Sequence, residues 1–346
     1  MRNLEIFDYI ILGLASLTAV AVLTPLMRML AIKINFVDIP KAAHKSHLKP
    51  IPYLGGVAIV IGVLSTVFVA LALRGTYEEL EIGMFTLAPS LILVFIGLID
   101  DKFELKPIPR FIVQTSIAVG VTIFIVSRGE LGNPTGVTNL DILISAIWIV
   151  GITNSINFFD NIDGGATGTV ALISLGIFLI SISNGQFLLS AMSIVLVSAC
   201  IGFLIWNKAP ASIYMGDTGA LFLGFVLAIL TIRLDTKTSS AFISFLVPVL
   251  LLAVPILDTT LAVLSRIRRR RSPFIGGQDH ISHRLLRLGL SKNLTVYLLW
   301  LSTFLYSGLA VLLALGILNE IFVAYFGAIL WLALLLLLLN TADDVS

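Results

Sequence analysis

A single cysteine, Cys200, stands in 346 residues, so no intramolecular disulfide can staple this chain. It lies inside an apolar run, where a thiol packs as a small hydrophobe. Charge is scarce too. Asp, Glu, Lys and Arg make up 12% of the residues against 58% hydrophobic. With a mean hydropathy of +1.04, that scarcity excludes an ordinary soluble domain. The apolar runs lack alternating polar positions, which excludes a transmembrane β-barrel. No internal repeat is visible. The first residues lack the strongly basic start of a cleavable signal, so Met1–Ala31 reads as a retained first helix. No connection is long enough to fold as a soluble unit. Residues 1–346 therefore read as one all-α polytopic membrane domain, with 266–293 as its largest loop.

What is present is a series of apolar stretches near membrane length. Eleven spans are expected: Ile6–Ala31, Leu54–Leu73, Ile82–Ile99, Phe111–Ser127, Leu140–Phe158, Ala166–Ser183, Phe187–Trp206, Thr218–Ile232, Ala241–Leu264, Leu294–Leu318 and Ile321–Leu339. An odd number puts the termini on opposite sides. The loops after odd-numbered spans hold sixteen Lys and Arg; the other connections hold five. The positive-inside bias predicts an outside N-terminus and a cytoplasmic C-terminus. All four histidines and most of the Gly, Pro and Asp clusters fall on the same, inner side. Chemistry is expected there.

The segment 154–168 reads N-S-I-N-F-F-D-N-I-D-G-G-A-T-G between two apolar runs. Polar groups at such a place are costly unless they serve a site or face water. Asn154, Asn157 and Asp160 are three apart and share a helix face. With Asp163 and the glycines they read as a helix end unwinding into a ligand-binding loop. A polar interhelical loop is the plainer reading. Asp100 and Asp101 close a span in G-L-I-D-D (97–101). Adjacent carboxylates repel, so they favour a proton, a metal or a cation nearby. They suit a base beside a Mg²⁺ ligand. A solvated helix end is the alternative, but carboxylates are disfavoured at that pole. In Y-M-G-D-T-G (214–219), Asp217 is either an N-cap or a metal ligand beside backbone that Gly216 leaves open to a phosphate.

The loop before Gly55-Gly56 carries Lys41, Lys45 and Lys49, which suit an anionic ligand or a positive anchor. Arg266–Arg271 is a basic run of the kind that contacts anionic headgroups. A nucleic acid is not the expected partner. His280, His283 and Arg284 open a short amphipathic helix, and His beside Arg suits a diphosphate. Asp258 is the one carboxylate well inside a span, functional by default or paired with a cation.

Acids and cations on one membrane face fit phosphoryl chemistry with Mg²⁺ on a lipid and a soluble nucleotide-activated compound. The ordered strings P-Y-L-G-G (52–56), G-L-I-D-D (97–101), N-S-I-N-F-F-D-N-I-D-G (154–164), Y-M-G-D-T-G (214–219), P-I-L-D-T (255–259) and D-H-I-S-H-R-L (279–285) carry a resemblance over nearly the whole chain. It resembles the polyprenyl-phosphate N-acetylhexosamine-1-phosphate transferases of glycosyltransferase family 4. The resemblance implies transfer of a sugar 1-phosphate from a UDP-sugar, most naturally UDP-N-acetylglucosamine, to a polyprenyl phosphate. UMP would be released, and a lipid-linked cell-surface glycan begun, on the cytoplasmic face of the plasma membrane. It implies catalytic roles for Asp100 and Asp101, without saying which acts as base. It implies Mg²⁺, with Mn²⁺ as substitute, held by Asp217 with help from Asn157 or Asp101. It implies that Asp160, Asp163, His280, His283 and Arg284 meet the sugar nucleotide. The loop residues themselves add Lys49, Asn154, Gly216 and Arg271 as substrate-binding candidates.

The chain departs from the family pattern at Ser282, where many members have a further histidine, and at Gly165, where leucine is common. Both positions leave the amino sugar open. Phospho-N-acetylmuramoyl-pentapeptide transfer is the nearest alternative, but its run of three histidines is absent. A transporter or flippase is the alternative of another class. One intramembrane acid and no repeat argue against it. Exposed apolar faces permit a homodimer.

Overall fold

Several helix starts are encoded locally. Thr76 and Glu79 form a reciprocal capping box, Ser291 and Asn319 cap through their side chains, and Pro107 occupies a first helical position, where its missing N–H costs nothing. The structure, a computed structural model, describes residues 4–38, 50–237, 241–273 and 277–341. Within them, α1 (Ile6–Lys33) leads to a short antiparallel pair, β1 (Val37–Asp38) and β2 (Ile51–Pro52). Then come α2 (Gly55–Arg74), α3 (Tyr77–Leu87), α4 (Ser90–Phe103), α5 (Pro107–Ser127), α6 (Thr138–Phe159), α7 (Gly165–Ser183) and α8 (Phe187–Asn207). They are followed by α9 (Gly216–Ile232), α10 (Ala241–Leu251), α11 (Ala253–Arg268), α12 (Ile281–Arg287), α13 (Lys292–Ala314) and α14 (Glu320–Leu339).

The chain is an all-α polytopic membrane protein. Among the described residues nine helical stretches are long and apolar enough to cross a membrane, one of them Tyr77–Phe103, which runs through α3 and α4. Each of the eleven expected stretches is helical, but two are not simple spans. The expected Ala241–Leu264 breaks into α10 and α11, bent by 75°. Pro255 has no N–H to return to the carbonyl of Leu251, which is where the break falls. The expected Thr218–Ile232 is the short helix α9, whose residues from Thr218 to Thr231 are all buried. It packs against α2, α4, α6 and α7. A helix walled in by protein need not match the thickness of the lipid.

Close backbone approach fixes the central packing. A Cβ on Gly97 would lie 2.6 Å from Thr218 N and Cα, and one on Gly56 would lie 2.2 Å from Gly219 N. Small residues let α2 and α4 press against the first turn of α9, as is common where helices associate without a hydrophobic driving force from water. The peripheral faces remain apolar and open: Leu14, Leu26, Ile321 and Leu337 are all exposed.

Candidate active site

The loops after α1, α4, α6, α8 and α11 meet at one end of the bundle. They enclose a cavity of about 450 Å³. Its wall includes Asp38, Asp101, Asp160, Asp163 and Asp217, and no lysine or arginine among the described residues.

Gly216 makes the centre possible. It has φ +65°, and a Cβ there would sit 2.5 Å from the Asp101 carboxylate. Asp101 uses that space to cap α9. Its Oδ1 accepts from Asp217 N at 2.7 Å, and its Oδ2 accepts from Thr218 Oγ1 at 2.8 Å and Thr218 N at 3.3 Å. The reading of Asp217 as the N-cap is thus corrected. Asp217 lies inside the first turn, and a carboxylate from α4 supplies the cap from outside. Asp217 is left to face the cavity. Its Oδ1 accepts from Asn157 Nδ2 at 2.9 Å and its Oδ2 from Arg110 Nη1 at 2.6 Å.

Asp100 lies behind this group, buried. It accepts from Leu105 N at 2.6 Å and is ion-paired with the same Arg110 nitrogen. One guanidinium therefore bridges Asp100 and Asp217. Asp160 terminates α6 at the cavity wall. Burial, and then the charges of Asp101 and Asp163, push its carboxyl up to about 7. Asp163 accepts from Ala211 N at 3.1 Å and from the phenol of Tyr214. Tyr53 bonds Asp38 in the same way, and burial raises both phenols above their usual range.

Across the cavity stand His280 and His283, with ring centroids 6.2 Å apart. Burial lowers His283 to about 4, so its ring is neutral at physiological pH. Ser282 donates to Asn161, tying α12 to the loop after α6.

The structure thus brings Asp101, Asn157, Asp160, Asp163, Gly216, Asp217, His280 and His283 around one cavity, with Asp100 beside it. Three other candidates lie elsewhere. Asn154 donates to Gln114 Oε1 at 2.7 Å and to Val150 O at 2.8 Å, one turn of α6 below the wall. Arg284 is turned away altogether. Its guanidinium donates to Leu338 O at 2.7 Å, Thr341 O at 3.2 Å and Ser265 Oγ at 2.6 Å. A cation there satisfies carbonyls left open at the C-terminal end of α14. Arg271 is exposed and outside the lining. Lys49 falls outside the described residues.

The basic run is also not uniformly a lipid-facing patch. Arg266 and Arg269 turn onto Asp279, both at 3.2 Å, and Arg266 is buried. The sequence gives no signal for Arg110 beyond its positive charge, nor for Asp38; Tyr53 and Tyr214 lie in the quoted strings P-Y-L-G-G and Y-M-G-D-T-G, but nothing there singles them out as wall residues. Their roles arise from contacts between distant loops.

The donor set suits a small hard cation. Five carboxylates line the wall among the described residues, and after burial the charges of Asp101 and Asp163 add to the rise of Asp160. Among the described residues no three acidic or histidine side chains form a ready-made cage. Mg²⁺ does not need one, since it usually takes one or two carboxylates and completes its shell with water and substrate phosphates.

An acidic cavity thus lies at one end of a polytopic helical bundle. A sequence profile described as glycosyl transferase family 4 matches residues 83–235. Over 324 residues, 90% of this chain and 87% of the relative, the sequence is 34% identical to a probable undecaprenyl-phosphate N-acetylglucosaminyl 1-phosphate transferase of Bacillus subtilis. It is 32% identical to a decaprenyl-phosphate N-acetylglucosaminephosphotransferase of Mycobacterium leprae, covering 84% of this chain and 80% of that one. It is 26% identical to an undecaprenyl-phosphate alpha-N-acetylglucosaminyl 1-phosphate transferase of Yersinia pestis, covering 85% and 79%. The chain belongs to glycosyl transferase family 4, among the polyprenyl-phosphate N-acetylhexosamine-1-phosphate transferases.

Proposed function

We propose that this chain transfers N-acetylglucosamine 1-phosphate from UDP-N-acetylglucosamine to a polyprenyl phosphate and releases UMP. The carrying observation is the cavity walled by five aspartates, with Arg110 bridging Asp100 and Asp217. The names of the relatives support the acceptor and the sugar, and favour this reading over pentapeptide transfer or transport.

In the proposed reaction a phosphate oxygen of the lipid attacks the β-phosphorus of the donor. The bond to the oxygen bridging the α- and β-phosphorus breaks, and that oxygen leaves on UMP. A bound Mg²⁺ or Mn²⁺ would neutralise diphosphate charge, held by Asp217 with Asn157 or Asp101. Arg110 carries the positive charge nearest the aspartate pair and suits the acceptor phosphate. Asp100 and Asp101 stand beside it as the groups that handle the acceptor. Asp160 and Asp163 line the donor side, opposite His280 and His283.

The cavity end is assigned to the cytoplasm. The positive-inside bias and a nucleotide donor both support that side. The N-terminal end of α1, where Asp8 pairs with Arg74, is at the other end of the bundle, which fits an outside N-terminus. The plasma membrane is the proposed location.

The test is exchange of labelled UMP into UDP-N-acetylglucosamine by purified protein with polyprenyl phosphate, run beside a panel of other UDP-sugars. Exchange only with added lipid phosphate and divalent cation is expected. No exchange with any UDP-sugar would sink the proposal.

A further inference from the structure

Asp258 is fully buried in α11, and its carboxylate does not reach the cavity. Both of its oxygens are committed to the start of α12. Oδ1 accepts from Ile281 N at 2.7 Å, and Oδ2 meets His280 Nδ1 at 2.7 Å. His280 is the residue that caps α12, so one carboxylate holds the first N–H of the helix and the ring just before it.

The partners of His280 select one tautomer. A carboxylate oxygen accepts, so Nδ1 carries the hydrogen. On the other edge of the ring, Nε2 faces Arg266 Nη2 at 3.4 Å, and a guanidinium only donates, so Nε2 carries the lone pair. Arg266 is pinned in turn by Asp279 Oδ2 at 3.2 Å and Pro273 O at 2.8 Å, with its guanidinium carbon 5.7 Å from the centre of the Phe158 ring. Phe158 and His280 both belong to the cavity wall.

We infer that Asp258 is a positioning residue for the transfer reaction: it holds His280 as the Nδ1–H tautomer, with Nε2 accepting from Arg266, and so fixes the orientation of the His280 ring on the cavity wall. The kinetic consequence rests on the transferase reading above; the tautomer does not. Asparagine separates this role from simple docking of α12. A carboxylate offers an acceptor to each of two N–H groups, whereas an amide of the same shape offers one acceptor and one NH₂. In Asp258→Asn the ring keeps a partner only by accepting at Nδ1, which moves its hydrogen to Nε2, toward Arg266.

The experiment uses the full chain in detergent with ¹⁵N-labelled histidine. The sequence has only four histidines, so the His280 signals are assignable by difference from His280→Gln. The expected result is the Nδ1–H tautomer at His280 and its conversion to Nε2–H in Asp258→Asn. The same substitution should lower kcat/KM for UDP-N-acetylglucosamine about 10- to 100-fold, as when the partner orienting a functional imidazole is lost. In a His280→Gln background it should cost less than about twofold, because the group it acts through is gone. An Nε2–H tautomer in the unaltered protein would overturn the inference, whether or not Asp258→Asn accumulates as folded protein. So would an undiminished cost of Asp258→Asn on top of His280→Gln, which would leave the carboxylate a role in folding alone. If no UDP-sugar supports exchange, the transferase reading fails while the tautomer is still measured.

Discussion

The two ends of the helix bundle treat charge in opposite ways. At the end away from the cavity, ion pairs are one to one: Arg74 with Asp8, Arg128 with Glu81 and Arg233 with Glu130. Amides close the remaining backbone groups. Asn184 donates to Asp235 O at 2.8 Å, and Gln186 donates to Arg233 O at 2.9 Å while accepting from Asp235 N at 3.0 Å. At the cavity end five aspartates line one wall, the guanidinium of Arg110 is shared by two acids, and Arg266 and Arg269 share Asp279. Balanced pairs finish a surface. Carboxylates clustered on the described wall of a cavity favour a proton or a cation nearby, which is what the proposed reaction would use.

The sharpest way to break this comparison is to alter one carboxylate or cation at each end. Asp217→Asn should lower UMP exchange by about 10² to 10³, as expected for losing one electrostatic contact to a reacting phosphate. Arg128→Ala, which removes a partly exposed pair at the other end, should leave exchange within about twofold and stability within about 1 kcal/mol. Equal losses of exchange in the two variants would show that the ends do not differ in function.

A smaller effect separates the buried cation Arg284 from the site it adjoins. Arg284→Gln strands the carbonyls at the end of α14 and should cost about 2 to 4 kcal/mol of stability. The KM for donor should stay near that of the parent in whatever protein remains folded. A raised KM at unchanged melting temperature would return Arg284 to the substrate.

The smallest expected effect is on pH dependence. His283, lowered to about 4 by burial, stays neutral in the folded chain below the pH at which an unfolded histidine binds a proton near 6.5. Between those values the unfolded chain holds more protons, so stability is full above about pH 6.5 and declines as pH falls toward 4. The decline is at most roughly 3 kcal/mol. Melting of the purified protein across that window, with His283→Asn as the comparison, measures it. Identical slopes in the two proteins would remove His283 as the cause.

Much of this was readable in advance where the signal was local. Membrane-length runs located the long helices that carry site residues, the short helix of His283 was read from its own amphipathic pattern, and the strings around Asp100, Asn157 and Asp217 marked three of the loops that meet. The misreadings came where a side chain's job depends on a distant partner. Asp217 looked like a cap because it opens α9, yet the capping oxygens come from Asp101 on another helix. Arg284 looked like a phosphate ligand because it follows His280 and His283. Its position on α12 aims it at the carbonyls of α14 instead. Arg110, which lies in none of the quoted strings, counted only toward the positive charge of the inner loops.

From the sequence alone came the membrane class, the helical elements, the face that carries the histidines and aspartates, and the family. These follow from hydrophobic length, charge placement and short strings, all properties of neighbouring residues. Only the tertiary structure decided that α9 is a buried central post rather than an ordinary span. It alone decided which aspartate caps, which faces the cavity, and which cation lies between two of them. Those outcomes depend on distances between helix ends far apart in the chain, set by how closely Gly56, Gly97 and Gly216 let the backbones approach.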